Sequence, residues 1–311
     1  MTAPPPLQLD LFDCRASIDY LSIAVPGKRP SFTPKLTGLP KWHWKKGDSV
    51  CTLTVHDPST KDIKLLVTEF GNPVLMGLEL SVDFWPKTSV PKEDRDSLLR
   101  ETFVAIGARF RPEDEAGWGY GARGGVTAKG QKPKDFHQRM PDPEELLFYG
   151  DRDARIMQAK AYFKRVDQNA ALPESEHRVR LELTVYRFGL SDLESPFQIG
   201  RLGALIGYPF RRKFTKHFRI VAGVRLRENR PIDPTERRER EKRMNRAWAT
   251  AGVGKFAVDP KLPPDTLVAA VKKIRQRSKK QLPKAEYVLL RHQQANAKIG
   301  DALKNLERRM R

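Results

Sequence analysis

The stretch HRVRLELTVYRF (177–188) alternates with period two. As a strand it places Val179, Leu181, Leu183 and Val185 on one face and Arg180, Glu182, Thr184 and Tyr186 on the other. GLELSVDF (77–84) divides the same way, with Glu79, Ser81 and Asp83 opposite Leu78, Leu80, Val82 and Phe84. In MQAKAYFKRV (157–166), Gln158, Lys160, Tyr162 and Lys164 oppose Met157, Ala159, Ala161 and Phe163. The solvated side of an ordinary antiparallel sheet has this form too. The residue types point further. Carboxylates hold a hard divalent cation, Mg²⁺ or Mn²⁺, that draws charge from a phosphate, and a tyrosine hydroxyl can attack phosphorus once a cation lowers its pKa. Phosphodiester chemistry is the expectation.

Other chemistries lack their residues. The six histidines (His43, His56, His137, His177, His217, His292) contain no His-x-His pair, which argues against imidazole ligation of a metal. No serine sits in a G-x-S-x-G setting, and the glycine-rich stretch 117–135 lacks the G-x-x-x-x-G-K-[ST] loop of an NTPase. Two cysteines, Cys14 and Cys51, make neither a disulfide framework nor a zinc site, and a reducing cytoplasm fits. No run of about 18 apolar residues exists, so no membrane span is expected. The start, MTAPPPLQLDLFD, shows no basic-then-apolar secretion signal.

The elements that must carry these faces follow from the pattern. IDYLSIAVP (18–26), SVCTLTV (49–55), IKLLVTEF (63–70), LMGLELSVDF (75–84), LLFYG (146–150), 157–166 and 177–188 read as strands, with Asn72-Pro73 as a turn. Residues 91–110 read as a helix with an acidic first turn, and 197–207 as a second. GLELSVDF and RLELTVYR (180–187) share an apolar–Glu–apolar–hydroxyl–Val core, each closing a β-meander before a helix. We read an internal duplication and an α+β fold: two pseudo-repeated antiparallel β-sheet/helix units, followed by a basic α-helical C-terminal region. Asp233 N-caps the first helix of that region, and 265–280 and 285–311 are two more. The expected division is 1–16 as a flexible tail, 17–230 as the catalytic domain and 231–311 as a separable helical module.

The stretch 145–185 resembles the rolling-circle replication initiators of small plasmids and filamentous phages, a family related to one class of conjugative relaxases. Its pattern of aromatic–Gly–x–Arg, Tyr–x–Lys and Arg–x–Glu is matched by Tyr149-Gly150-Asp151-Arg152, Tyr162-Phe163-Lys164 and Arg180-Leu181-Glu182. An earlier acid–x–x–x–Asp–Phe strand is matched by Glu79 and Asp83-Phe84. The resemblance spans roughly 18–205 and implies that Tyr162 nicks one DNA strand at an origin, forming a 5′-phosphotyrosine and freeing a 3′-OH primer. It implies Glu79 and Glu182 as metal ligands with Asp83 in support. Four strand residues span about 13 Å, so Glu79 and Asp83 are not expected on one ion. The family's Arg two residues before the tyrosine and Asn just after it are replaced by Lys160 and Phe163. Tyr186 is the rival nucleophile. Lys160, Lys164, Arg152, Arg155 and Arg180 are expected to neutralise phosphates. A conjugative relaxase and a non-catalytic origin-binding regulator are the alternatives.

Charge agrees with a polyanionic partner. Lys and Arg number 58 against 38 Asp and Glu, a net of +20, and residues 201–311 hold 30 basic against 10 acidic residues. The whole excess lies in the last third. Its basic runs, Arg211-Arg212-Lys213 and Lys272, Lys273, Arg275 and Arg277, are candidate DNA contacts, with a solvated helix face as the plainer reading. Gln8-Leu9-Asp10-Leu11-Phe12 is similar to the peptide that docks bacterial proteins in the sliding-clamp groove; the plainer alternative is that these residues begin the first strand. Origin DNA, the sliding clamp, a host helicase and a second copy of the chain are the expected partners, and no membrane.

Overall fold

The computed structural model describes residues 6–26, 39, 41–46, 50–110, 121–124, 146–149, 157–167, 170–191, 197–226, 233–239 and 287–311. They form a mixed α+β fold around one large antiparallel sheet. Its strands are β1 (Phe12–Pro26), β2 (Trp42–Lys45), β3 (Val50–His56), β4 (Val74–Pro86), β5 (Gly121–Gly124), β6 (Leu146–Tyr149), β7 (Met157–Lys164) and, after the short β8 (Val166–Asp167) and β9 (Ala170–Ala171), β10 (Arg178–Tyr186). Their spatial order is β2-β3-β1-β4-β10-β7-β6-β5. The two strands that carry the shared apolar–Glu–apolar–hydroxyl–Val core, β4 and β10, meet at the centre. Their register pairs Arg180 with Asp83, Glu182 with Ser81 and Thr184 with Glu79, and β7 adds Tyr162 beside Arg180 and Lys160 beside Glu182.

Alternation sends the apolar side chains of 78–84 and 179–185 to one side. Leu78, Leu80, Val82 and Phe84, with Leu181 and Leu183, are fully buried. They share a core with α2 (Lys92–Arg109), which contributes Leu99, Phe103 and Ile106, and with the C-terminal helix. That last helix, α5 (Gln293–Arg309), packs on β1 through Ile299, Leu303 and Leu306, and Lys298 donates to the Phe12 carbonyl at 3.2 Å. Between them lie α3 (Arg187–Ser191) and α4 (Phe210–Phe214), the latter against α5. No helix among the described residues is long and apolar enough to cross a membrane.

Several expectations are corrected. Residues 63–70 are not a strand but lie in and just beyond α1 (Thr60–Glu69). Ser59 and Asp62 close a capping box, Ser59 N donating to Asp62 Oδ2 at 2.8 Å and Asp62 N to Ser59 Oγ at 3.2 Å. Ile63 and Leu66, one turn apart, are its buried residues. The first half thus runs β–β–β–α–β–α and is no meander. Of 197–207 only a single 3₁₀ turn, Leu202–Leu205, is helical, between Gln198 and Gly207 at positive φ. The stretch 285–311 is not one helix either. Tyr287–Arg291 is a strand, β12, paired with β11 (Val221–Leu226), and the helix begins after His292, whose ring nitrogen caps Ala295 N.

Within the expected module 231–311, α5 belongs to the core of the sheet. The stretch 1–16 is no loose tail from Leu7 onward: Leu9 is 1% and Phe12 0% exposed, and β1 starts at Phe12. Of the apolar side chains that clamp docking would use, Leu9 and Phe12 are packed inside this chain and Leu11 is half-buried. The Asn72 turn stands, at φ 56°. Asp233 accepts from Thr235 N and Glu236 N and caps a helical stretch at 234–239. Arg152, Arg155, Lys272, Lys273, Arg275, Arg277 and the expected helix at 265–280 lie outside the described residues.

Candidate active site

The polar face of the central strands is as buried as the apolar one. Glu79, Asp83, Arg180, Glu182 and Thr184 are each at most 5% exposed. Charges out of water must be paired or hydrogen-bonded, and here they are. Lys160 Nζ bridges Glu79 Oε2 at 3.1 Å and Glu182 Oε2 at 3.0 Å. Thr184 donates its hydroxyl proton to Glu79, and Tyr162 donates its own to Glu182 Oε1. The nucleophile candidate and the carboxylate one strand away are thus in direct contact, and the Tyr162 ring is only half-buried.

A third carboxylate joins them. Carboxylate oxygens of Asp19, Glu79 and Glu182 lie within 4.8 Å of one another. Three hard oxygen donors at that spacing fit Mg²⁺ or Mn²⁺. Asp19 reaches the cluster through a β-bulge. β1 pairs Ile18 with Leu80 and Tyr20 with Glu79, leaving Asp19 as the extra residue and turning both Asp19 and Tyr20 toward the polar side. The sequence reading missed Asp19. Its signal was the phase change of the apolar residues, Ile18 and then Leu21, Ile23 and Val25.

Asp83, implied in support of the ligands and not expected on one ion with Glu79, is outside the cluster. Arg180 holds it with two parallel bonds, Nε to Oδ1 at 2.6 Å and Nη2 to Oδ2 at 2.7 Å, and Arg178 Nε adds a third at 3.2 Å. The remaining guanidinium nitrogen of Arg180 donates to Asp19 Oδ1 at 2.6 Å and lies 3.6 Å from Glu182 Oε1. Arg180 is therefore no free phosphate contact. With Asp83 behind it, it orients two of the clustered carboxylates. Lys164 pairs with Asp167 at 3.0 Å on the edge of the same face. Arg211, Arg212 and Lys213 are on α4, in the helical layer behind the sheet, and are not brought to the cluster.

The electrostatics follow from burial. Desolvation, reinforced by Glu182, raises Glu79 from the ordinary 4.5 to about 7. Burial and the Glu182 carboxylate likewise push the Tyr162 phenol up, so it is a poor nucleophile while the carboxylates stand unscreened. Burial opposes the charge on Lys160, but Glu182 and Glu79 outweigh it and hold the ammonium protonated. Tyr20, on the far side of Glu79, is raised by burial and by Glu79. Tyr186 follows on β10 and is half-buried.

No family model, curated protein or solved structure matches this chain. The arrangement is described by its own chemistry: a phenol on a carboxylate, three carboxylates close enough together to hold a cation, and ammonium and guanidinium groups paired with them.

Proposed function

We propose that the protein is a cation-dependent, tyrosine-type single-strand DNA nickase and religase that initiates rolling-circle replication. The observation that carries this reading is the hydrogen bond from the Tyr162 hydroxyl to Glu182, a member of the Asp19–Glu79–Glu182 cluster. A divalent cation held by those three carboxylates would draw charge from the scissile phosphate and pull the phenol pKa down, inverting the effect of the bare carboxylates. Glu182 takes the Tyr162 proton. The phenolate oxygen bonds to phosphorus, the bond from phosphorus to the 3′ oxygen breaks, and that oxygen takes up the proton that Glu182 received and leaves as a 3′-OH. Lys160 stays protonated and balances the charge that develops on the phosphate. Attack of a 3′-OH on the phosphotyrosine runs the same step backwards and reseals the strand.

The β4–β10 register supports the duplicated architecture. Glu79 faces Thr184 and Glu182 faces Ser81, so the shared Glu and hydroxyl positions of the two motifs exchange places about the Leu80–Leu183 pair. Three strands extend outward on each side. Each half would then supply one ligand from the same place in its motif. Origin DNA is the substrate in this reading, and a host helicase and a second copy of the chain are its proposed partners.

The test is covalent trapping. A suicide oligonucleotide carrying the origin sequence, incubated with Mn²⁺, should yield a protein–DNA adduct that maps to Tyr162 and is absent in Tyr162→Phe. An adduct that persists in Tyr162→Phe and vanishes in Tyr186→Phe would move the nucleophile to the rival tyrosine. No adduct from the wild-type protein on any strand of the origin would end the reading.

A further inference from the structure

Beyond the carboxylate cluster the polar face changes character. β1, β3 and β2 continue the sheet from Glu79 to its edge, and residues paired across them share that face. Glu79 pairs with Tyr20, Tyr20 with His56, and His43 sits beside the same strand at Thr54. The three rings form a row: Tyr20 and His56 centroids are 5.9 Å apart, and His56 and His43 centroids 5.5 Å apart at an interplanar angle of 33°. Ser22 and Thr54 fill the floor between them, joined at 2.7 Å. On the other side of the same strands, Trp42 and Trp44 pack inward against Phe70.

We propose that this Tyr20–His56–His43 row is a stacking platform for single-stranded DNA, receiving the unpaired bases that flank the phosphate held at the carboxylate cluster. Three observations favour that occupant. The row is continuous with the cluster through the Tyr20–Glu79 pair. It opens outward, since Tyr20 and His56 are half-buried and His43 is exposed. Its rim is cationic: Lys45 and Lys46 are exposed at the end of β2, the edge strand among the described residues, and Lys41 at its start is exposed and pairs with Asp167 at 3.6 Å. Aromatic rings beside a basic rim are how proteins hold single strands with little sequence preference, because every base has a face to stack. At about 4.8 Å per strand, the distance from β7 to β2 is about 24 Å, room for several nucleotides. Duplex bases, already stacked on each other, cannot use the row.

This inference rests on the nicking reading for which strand is bound, but its test does not need catalysis. Fluorescence anisotropy with a fluorescein-labelled 12-mer single strand in EDTA reads binding alone. His43→Ala and His56→Ala should each weaken binding about tenfold, whereas His43→Phe should retain it and a hairpin-free duplex of the same sequence should bind all three variants and wild type alike. Alanine variants within twofold of wild type would overturn the platform. So would a His43→Phe loss as large as that of His43→Ala, since that would mean a phosphate contact by charge. His43 lies exposed at the edge, so its replacement tests the row even where His56→Ala weakens the fold, which a melting curve of each variant reports. A missing covalent adduct with these binding results intact would fault the nickase and leave the platform standing.

Discussion

Arg180 and Asp83 lie directly opposite one another on β10 and β4 and join through two parallel hydrogen bonds, 2.6 and 2.7 Å, with both side chains almost fully out of water. Breaking such a pair from one side strands the other charge, which costs about 3–5 kcal/mol. Asp83→Ala should therefore lower the urea midpoint strongly. Because Arg180 also holds Asp19, the same variant should lose Mn²⁺ affinity although Asp83 touches no ion in our reading. Replacing both partners, Asp83→Leu with Arg180→Met, should restore much of the stability but not the affinity. Equal midpoints for Asp83→Ala and wild type would show the pair to be dispensable.

Lys160 stands between two buried carboxylates, so its removal has a sign that depends on the cation. Lys160→Met leaves Glu79 and Glu182 facing each other with only the Arg180 guanidinium, 3.6 Å from Glu182, as counter-charge. In EDTA the variant should unfold at a distinctly lower temperature than wild type. Adding Mn²⁺ should raise its melting temperature by more than it raises that of wild type, because the ion supplies the missing positive charge. Thermal unfolding with and without Mn²⁺ measures both, and identical shifts in the two proteins would separate Lys160 from the cation site.

Glu79 makes a pH prediction in two parts. Its carboxyl is raised from 4.5 to about 7 by burial and by Glu182, so the folded state holds a proton that the unfolded chain releases. The stability it contributes to the cation-free protein is complete below about pH 4.5 and is lost as pH rises through 7. Glu79→Gln should flatten that decline. Cation binding runs the other way, since it needs the carboxylate ionised. The Mn²⁺-induced rise in melting temperature should be larger at pH 8 than at pH 6, and it should vanish at both in Asp19→Asn.

The strands that carry the site were legible because each has one apolar and one polar face, and period two separates Glu79, Ser81 and Asp83 from Leu78, Leu80, Val82 and Phe84 in β4 and the corresponding sets in β7 and β10. Asp19 escaped because a bulge shifts the phase of β1 inside what reads as one continuous strand. α1 was misread as a strand because its apolar residues are few and contiguous; Ser59 and Asp62, three apart, held the information that a helix starts there. The strand rise separates Asp83 from Glu79, but its actual partner was not legible, because a sequence does not reveal which residue faces it across a register, and here that residue is Arg180. β12 was absorbed into a helix because Tyr287–Arg291 is short and adjoins a strongly helical stretch.

The N-terminal segment offers two incompatible uses for the same side chains. Phe12 is fully buried at the start of β1, Leu9 is packed beside it, and α5 covers both through the Lys298 bond to the Phe12 carbonyl. Removing a buried phenylalanine ring costs about 3–5 kcal/mol. Phe12→Ala should lower the urea midpoint accordingly, and loosening of α5 should appear as faster amide exchange at Ile299 and Leu303. Leu11, which is only partly buried, should tolerate alanine with a much smaller change. If instead Phe12→Ala left stability unchanged while abolishing recovery of the protein on immobilised sliding clamp, the segment would be a docking peptide after all, and its burial here would be a resting position rather than part of the core.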